Sequence, residues 1–146
     1  MQVSILYGSE TGNCENLANE AEKYLSQNNI SAEVLDMEKV NIEKLQTLEN
    51  VLVITSTWGD GEPPSNASRL HSDLQSAETL DLSNLKYSVF AIGQSFYDQF
   101  CQAGKDFDEY LEKFGAKRLQ NIFLSDDDFE DTFSPWLNSI KIALDE

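Results

Sequence analysis

The run Val51-Leu52-Val53-Ile54-Thr55 sets the strongest limit on what this chain folds into. It is apolar and mostly β-branched from end to end, without the alternation of a strand that has one wet face. Such a strand is covered on both sides, the condition of a parallel sheet sandwiched between helices.

The segments around it fit that demand. Val3–Tyr7 has the pattern of a short buried strand. Leu17, Ala18, Ala21, Tyr24 and Leu25 follow at helical spacing, and Asn28-Asn29 supplies a stop, because Asn tolerates the left-handed cap. Ala32–Leu35 is a second strand, and Ile42, Leu45 and Leu48 mark one or two helical turns. Beyond Pro63-Pro64, Ala67, Leu70 and Leu74 mark a third helix, with Tyr87–Ile92 as the fourth strand. Ala103, Phe107, Tyr110, Leu111 and Phe114 share a face of the next helix, and Gly115 caps it. Asn121–Leu124 is the fifth strand. Phe133, Trp136, Leu137, Ile140, Ala143 and Leu144 define the last helix, with Pro135 expected in its first turn, where no backbone donor is required.

Strict alternation of strand and helix predicts an α/β, doubly wound five-stranded parallel sheet with helices on both faces. The expected order is 2-1-3-4-5. Ligands of such sheets bind beyond the carboxyl ends of the strands, where strands one and three diverge. The 146 residues suit one domain, 1–146.

Three loops should therefore converge: Ser9-Glu10-Thr11-Gly12-Asn13-Cys14, Ser56-Thr57-Trp58-Gly59-Asp60-Gly61 and Gly93-Gln94-Ser95-Phe96-Tyr97. The first opens a helix, whose unpaired amides and dipole make an anion site. Gly12 permits close approach, and Ser9 and Thr11 carry hydroxyl donors. A tight strand-to-helix turn with a Ser/Thr cap explains the same residues. The loop has no Lys, so it is not a triphosphate P-loop, and it has no GxGxxG. Glu10 would repel phosphate, so its side chain is expected in solvent. Cys14 is either a weak donor or a small core residue. Trp58 and Tyr97 either stack on an aromatic ligand or cap the local core. Gly59 and Gly61 loosen the backbone beside Trp58. One phosphate grip plus two aromatic walls suggests a flat, phosphorylated cofactor, and flavin mononucleotide (FMN) fits.

The formal charge is −16, from 26 acidic against 10 basic residues. Nucleic acid and anionic membrane surfaces would be repelled, and basic protein partners attracted; the acidity equally serves solubility. The start Met1–Leu6 has no basic region, and no stretch is long enough to span a bilayer, so a cytoplasmic location is expected. The Asn-x-Ser triplets at Asn29 and Asn66 are then chance. Cys14 and Cys101 match no zinc or CxxC spacing, and no metal is expected. Asp126-Asp127-Asp128 suits a helix start better than a metal cluster. His71, the single histidine, is assigned a surface or structural place away from the loops.

The motifs Ser-x-Thr-Gly-Asn from Ser9, Ser-Thr-Trp-Gly-Asp-Gly from Ser56 and Gly-x-Ser-x-Tyr-Asp-x-Phe-Cys from Gly93 resemble the three FMN loops of short-chain flavodoxins. The resemblance spans essentially the whole chain. Trp58–Pro64 and Phe100–Asp108 are similar to the FMN modules of diflavin reductases such as sulfite reductase flavoprotein, a blend shared by the MioC and YqcA group of small flavodoxins. It implies a flavodoxin-like fold binding FMN. Ser9, Glu10, Thr11, Gly12, Asn13 and Cys14 would lie at the phosphate. Trp58 and Tyr97 would sandwich the ring, and the Gly59 carbonyl would switch toward N5. Ser56, Thr57, Asp60, Gly61, Gly93, Gln94, Ser95, Phe96, Phe100 and Cys101 would complete the ring site, with Asp127 in an acidic stretch near it. Cys14 stands where Thr or Ala is common, and Gln94 where many flavodoxins have Asp.

The implied function is a low-potential one-electron carrier, shuttling between semiquinone and hydroquinone without substrate turnover of its own. A flavodoxin or ferredoxin reductase and acceptor enzymes with basic docking surfaces would be its partners, with the carrier a monomer. An FMN-dependent NAD(P)H quinone or nitro reductase is the alternative. A receiver-type signalling module is disfavoured, because the third strand ends Ile54-Thr55-Ser56 without an Asp.

Overall fold

The computed structural model describes residues 2–9, 12–57, 61–93, 101–126 and 129–145. Strands β1 (Gln2–Gly8), β2 (Ser31–Asp36), β3 (Asn50–Ser56) and β4 (Lys86–Ile92) are joined by α1 (Asn13–Gln27), α2 (Ile42–Leu45) and α3 (Ser68–Ser76). Then come α4 (Gln102–Lys113), β5 (Lys117–Arg118), β6 (Phe123–Ser125) and α5 (Phe129–Asp145). All pairings are parallel, in the order β2-β1-β3-β4-β5, with β6 also on β4.

β3 is the doubly covered strand that its sequence demanded. Val51 and Val53 join one core with Leu70, Leu74, Phe107 and Leu111 of α3 and α4. Leu52 and Ile54 point the other way, into a second core with Leu17, Ala21, Trp136 and Ile140 of α1 and α5. One period-2 run thus feeds both layers. α1 ends at Asn28, with Asn29 at φ 64, and the Ile30 amide turns back to the Leu25 carbonyl at 2.9 Å.

Two expectations need correction. The fifth strand is split, and Asn121 and Ile122 lie outside both halves. β4 has two residues between the partners Tyr87 and Phe90, whereas the edge has four between Arg118 and Phe123. The surplus bulges out, and Ser88 Oγ donates to the Gln120 carbonyl at 3.1 Å within it. Ser88 Oγ also accepts the buried Trp136 indole N–H at 3.0 Å. Pro135, in turn, stands inside α5 rather than in its first turn. The helix starts further upstream, where Phe129 already packs on the second core. The proline is exposed, so its missing donor falls on the solvent side.

Candidate cofactor site

Strand register alone aligns the loop origins. Gly8 pairs with Thr55, Ser56 with Ile92, and Ile92 with Ser125. The segments leaving at Ser9, Thr57, Gly93 and Asp126 therefore depart from one edge of the sheet. Backbone bonds tie them together: Thr57 N to the Ile92 carbonyl at 3.0 Å, and Gly93 N to the Ser125 carbonyl at 2.9 Å. Thr57 Oγ1 accepts the Ala103 amide at 3.0 Å, so the second loop caps the helix that follows the third.

The first loop forms a cradle around Ser9. Its Oγ accepts the Gly12 amide at 2.9 Å and lies 3.4 Å from the Cys14 amide. The hydroxyl hydrogen remains to donate. Gly12 has φ 87, and a Cβ there would meet nothing within 4 Å. The first helical bond of α1 runs from Asn16 N to the Gly12 carbonyl, which leaves the amides of Asn13 and its successors at the positive end of the helix. These donors fit a phosphate group.

The Cys14 side chain points into the second core, fully buried, and burial pushes its thiol up to about 12. Its thiol lies within hydrogen-bond reach of Ser56 and Ser9, and its amide also faces Ser9 Oγ. Cys101 has φ 56 and is likewise buried, with Sγ 3.5 Å from the Ala91 carbonyl; burial raises its pKa to about 11. Ser56 and Gly61 are half-buried, and Gly61 has φ 96. Gly93 is buried. Ser125 Oγ, at the same strand edge, is buried without a partner among the described residues. Tyr7 donates to Glu15 Oε2 at 2.8 Å; burial first, then the Glu15 bond and the Asp36 charge, raise its pKa to about 12.

Of the expected first-loop residues, Glu10 and Thr11 lie outside the described residues, as do Trp58, Gly59 and Asp60 of the second loop. So do Gln94, Ser95, Phe96, Tyr97 and Phe100 of the third, and Asp127 with Asp128. His71 packs between helices, bonded to Asp106 Oδ2 at 2.8 Å and edge-on to Phe107 and Tyr110. No group of three or more metal-ligating side chains occurs among the described residues, and no helix among them is long and apolar enough to cross a membrane.

Sequence reasoning missed Asn66. It sits in one of the Asn-x-Ser triplets, on the turn Ser65–Ala67, and reaches the first loop. An Asn just after Pro63-Pro64 is a turn signal, but nothing local says which loop it meets.

A sequence profile of the family "Flavodoxin" matches residues 5–136. The sulfite reductase [NADPH] flavoprotein alpha-component of Bacillus subtilis (strain 168) is 39% identical over 145 residues, covering 99% of this chain and 24% of that protein. The same component of Shewanella sp. (strain MR-7) is 40% identical, over 97% of this chain and 24% of the relative. The chain thus spans about a quarter of the length of these curated relatives. Among solved structures, a point mutant of flavodoxin from Pseudomonas aeruginosa superposes with a TM-score of 0.84 at 28% identity, over all of both chains. Oxidised flavodoxin 2 from Bacillus cereus gives 0.80 at 29%, over 97% of this chain and 98% of that one.

Proposed function

The chain belongs to the flavodoxin family, and on that premise we propose that it binds FMN at the carboxyl edge of its sheet and carries single electrons between a reductase and acceptor enzymes. Residues 1–146 act as the FMN-binding domain. The observation that carries this reading is the Ser9 cradle, set at the aligned ends of β1, β3, β4 and β6. When bound, the flavin supplies one-electron chemistry.

The protein's part is to hold and surround that group. The Ser9 hydroxyl and the Asn13 amide take the phosphate, with the α1 dipole favouring its charge, while the Gly12 and Cys14 amides hold the Ser9 oxygen in place. Thr57, Gly61, Gly93 and Cys101 bring backbone to the ring edge, while Trp58 and Tyr97 supply its walls and Gly59 the carbonyl facing N5. Their roles, and those of Glu10, Thr11, Ser56, Asp60, Gln94, Ser95, Phe96, Phe100 and Asp127, rest on the motif match. The charge of −16 steers basic partners to the protein.

The visible spectrum during anaerobic stepwise reduction tests the reading. We expect a yellow protein with one FMN per chain that takes up its two electrons at separate potentials. A protein that stays colourless after incubation with FMN refutes it. Reduction by a flavodoxin reductase should slow as salt rises. Salt-independent rates would remove electrostatic docking, and oxidation of NADPH by the purified protein alone would replace the carrier with a reductase.

A further inference from the structure

Asn66 ties together three segments that sequence holds far apart. Its Oδ1 accepts the Ser9 amide at 2.9 Å. Its Nδ2 donates to the Tyr7 carbonyl at 3.3 Å and to Asp36 Oδ1 at 3.1 Å. One side chain thus grips the end of β1, the first residue of the loop and the end of β2. Gly8 makes this possible: a Cβ there would meet Ala67 Cβ at 2.8 Å, so only a glycine lets the turn carrying Asn66 lie against β1.

The amide orientation is fixed by chemistry. Turned over, the NH2 group would face the Ser9 N–H, and the carbonyl would face a carbonyl and a carboxylate. Asp at this position would set oxygen against the Tyr7 carbonyl and Asp36. Ala would leave the Ser9 amide and the Tyr7 carbonyl without these partners.

Fixing the Ser9 peptide fixes the direction of its Cα–Cβ bond, and with it the base on which the hydroxyl turns. Ser9 Oγ is in turn the point on which the Gly12 and Cys14 amides converge. Donors for a phosphate must be held to within about 0.5 Å to act together. We propose that Asn66 is a positioning residue for the phosphate cradle: it touches no ligand itself, and sets the geometry of the residues that do. The proposal rests on the FMN reading above. It assigns to a residue outside the three loops the discrimination between a phosphorylated flavin and its dephosphorylated form.

The test compares FMN with riboflavin, which has the ring but no phosphate, in fluorescence titrations of the apoprotein. In the parent, FMN must bind more tightly than riboflavin; if it does not, the FMN reading itself falls. Given that preference, Asn66→Ala should weaken FMN about tenfold or more while changing riboflavin by less than about twofold, since two or three hydrogen bonds are lost around the cradle alone. The phosphorus resonance of bound FMN should shift as well. Equal losses for both ligands would make Asn66 a merely structural residue, and an unchanged FMN affinity would remove it altogether; either outcome overturns the proposal. If far-UV circular dichroism shows that Asn66→Ala does not fold, the comparison is made with Asp36→Ala. That variant removes one of the three anchors, and the same selective loss, smaller in size, is expected. A loss shared by riboflavin refutes the proposal there too.

Discussion

Replacing Gly104 with Ala sets two known effects against each other, and the structure decides between them. On a solvated helix this change stabilises by about 1 kcal/mol, because glycine loses the most backbone entropy. Gly104, however, is the point where α4 lies on β4. A Cβ there would stand 2.3 Å from Ala91 Cβ, with Ala91 Cα at 3.4 Å and Val89 Cγ1 at 3.5 Å. Carbon atoms rest at about 3.5–4.0 Å, so the two methyl groups need more than about 1 Å of separation that neither can supply by rotation. α4 must lift off the sheet, and overpacking of this kind costs about 1–3 kcal/mol, here near the top of that range or beyond it. The net expectation is a loss of roughly 2 kcal/mol. Urea unfolding of the apoprotein should show it as a midpoint lowered by roughly 1 M, for a slope of about 2 kcal/mol per M. Ala91→Gly in the same chain removes the opposing methyl group, and the double variant should recover most of the clash energy as a coupling of about 2 kcal/mol. A Gly104→Ala protein as stable as its parent, or more so, would refute the close approach of α4 and β4.

Other consequences follow from single contacts. Arg118 meets Asp108 through Nε and Nη2, at 3.0 and 2.7 Å, and also pairs with Glu112. Arg118→Ala leaves the Asp108 carboxylate, 13% exposed, without that cation and should cost about 2–4 kcal/mol in thermal or urea unfolding; a cost under about 0.5 kcal/mol would contradict the pairing. Cys14 and Cys101 stay protonated in the fold up to about 12 and about 11, against about 8.5 in the unfolded chain. The unfolded state therefore binds fewer protons above about pH 8.5, and stability should fall with rising pH through that window while both thiols resist Ellman's reagent at pH 8. Rapid labelling of the native protein would refute their burial. Ser125→Ala removes a buried hydroxyl that has no partner among the described residues, so apoprotein stability should be unchanged or higher by up to about 1 kcal/mol; a clear loss of stability would reveal a partner. Gln94→Asp adds a charge which, taken about 10 Å from the flavin at an effective dielectric of about 40, amounts to about 0.8 kcal/mol. Redox titration should find a one-electron potential lower by about 35 mV, and an unchanged or raised potential would refute the charge argument.

The elements were legible because each rests on near neighbours in sequence. Leu17, Ala18, Ala21 and Leu25 show a helical stripe, and Val51–Thr55 shows cover on both faces, whatever the rest of the chain does. The points where the three loops leave the sheet were legible for the same reason, as small and polar runs directly after β1, β3 and β4. The split edge strand and the interior Pro135 were not. The first depends on how many residues β4 offers opposite the edge, the second on where Phe129 finds a core to pack on.

The sequence by itself determined an α/β sheet of parallel strands, its order, and the strand ends from which the loops leave, the first of them beginning at Ser9. Tertiary structure alone decided which distant side chains hold that loop in shape. Asn66 meets Ser9 from 57 positions away, and Trp136 finds the Ser88 hydroxyl from 48. The physical reason is that periodicity records which face of an element is buried, whereas a hydrogen bond between elements depends on how closely two backbones approach. That approach is set by the missing Cβ at Gly8 and the register of the strands, neither of which leaves a local trace at Asn66.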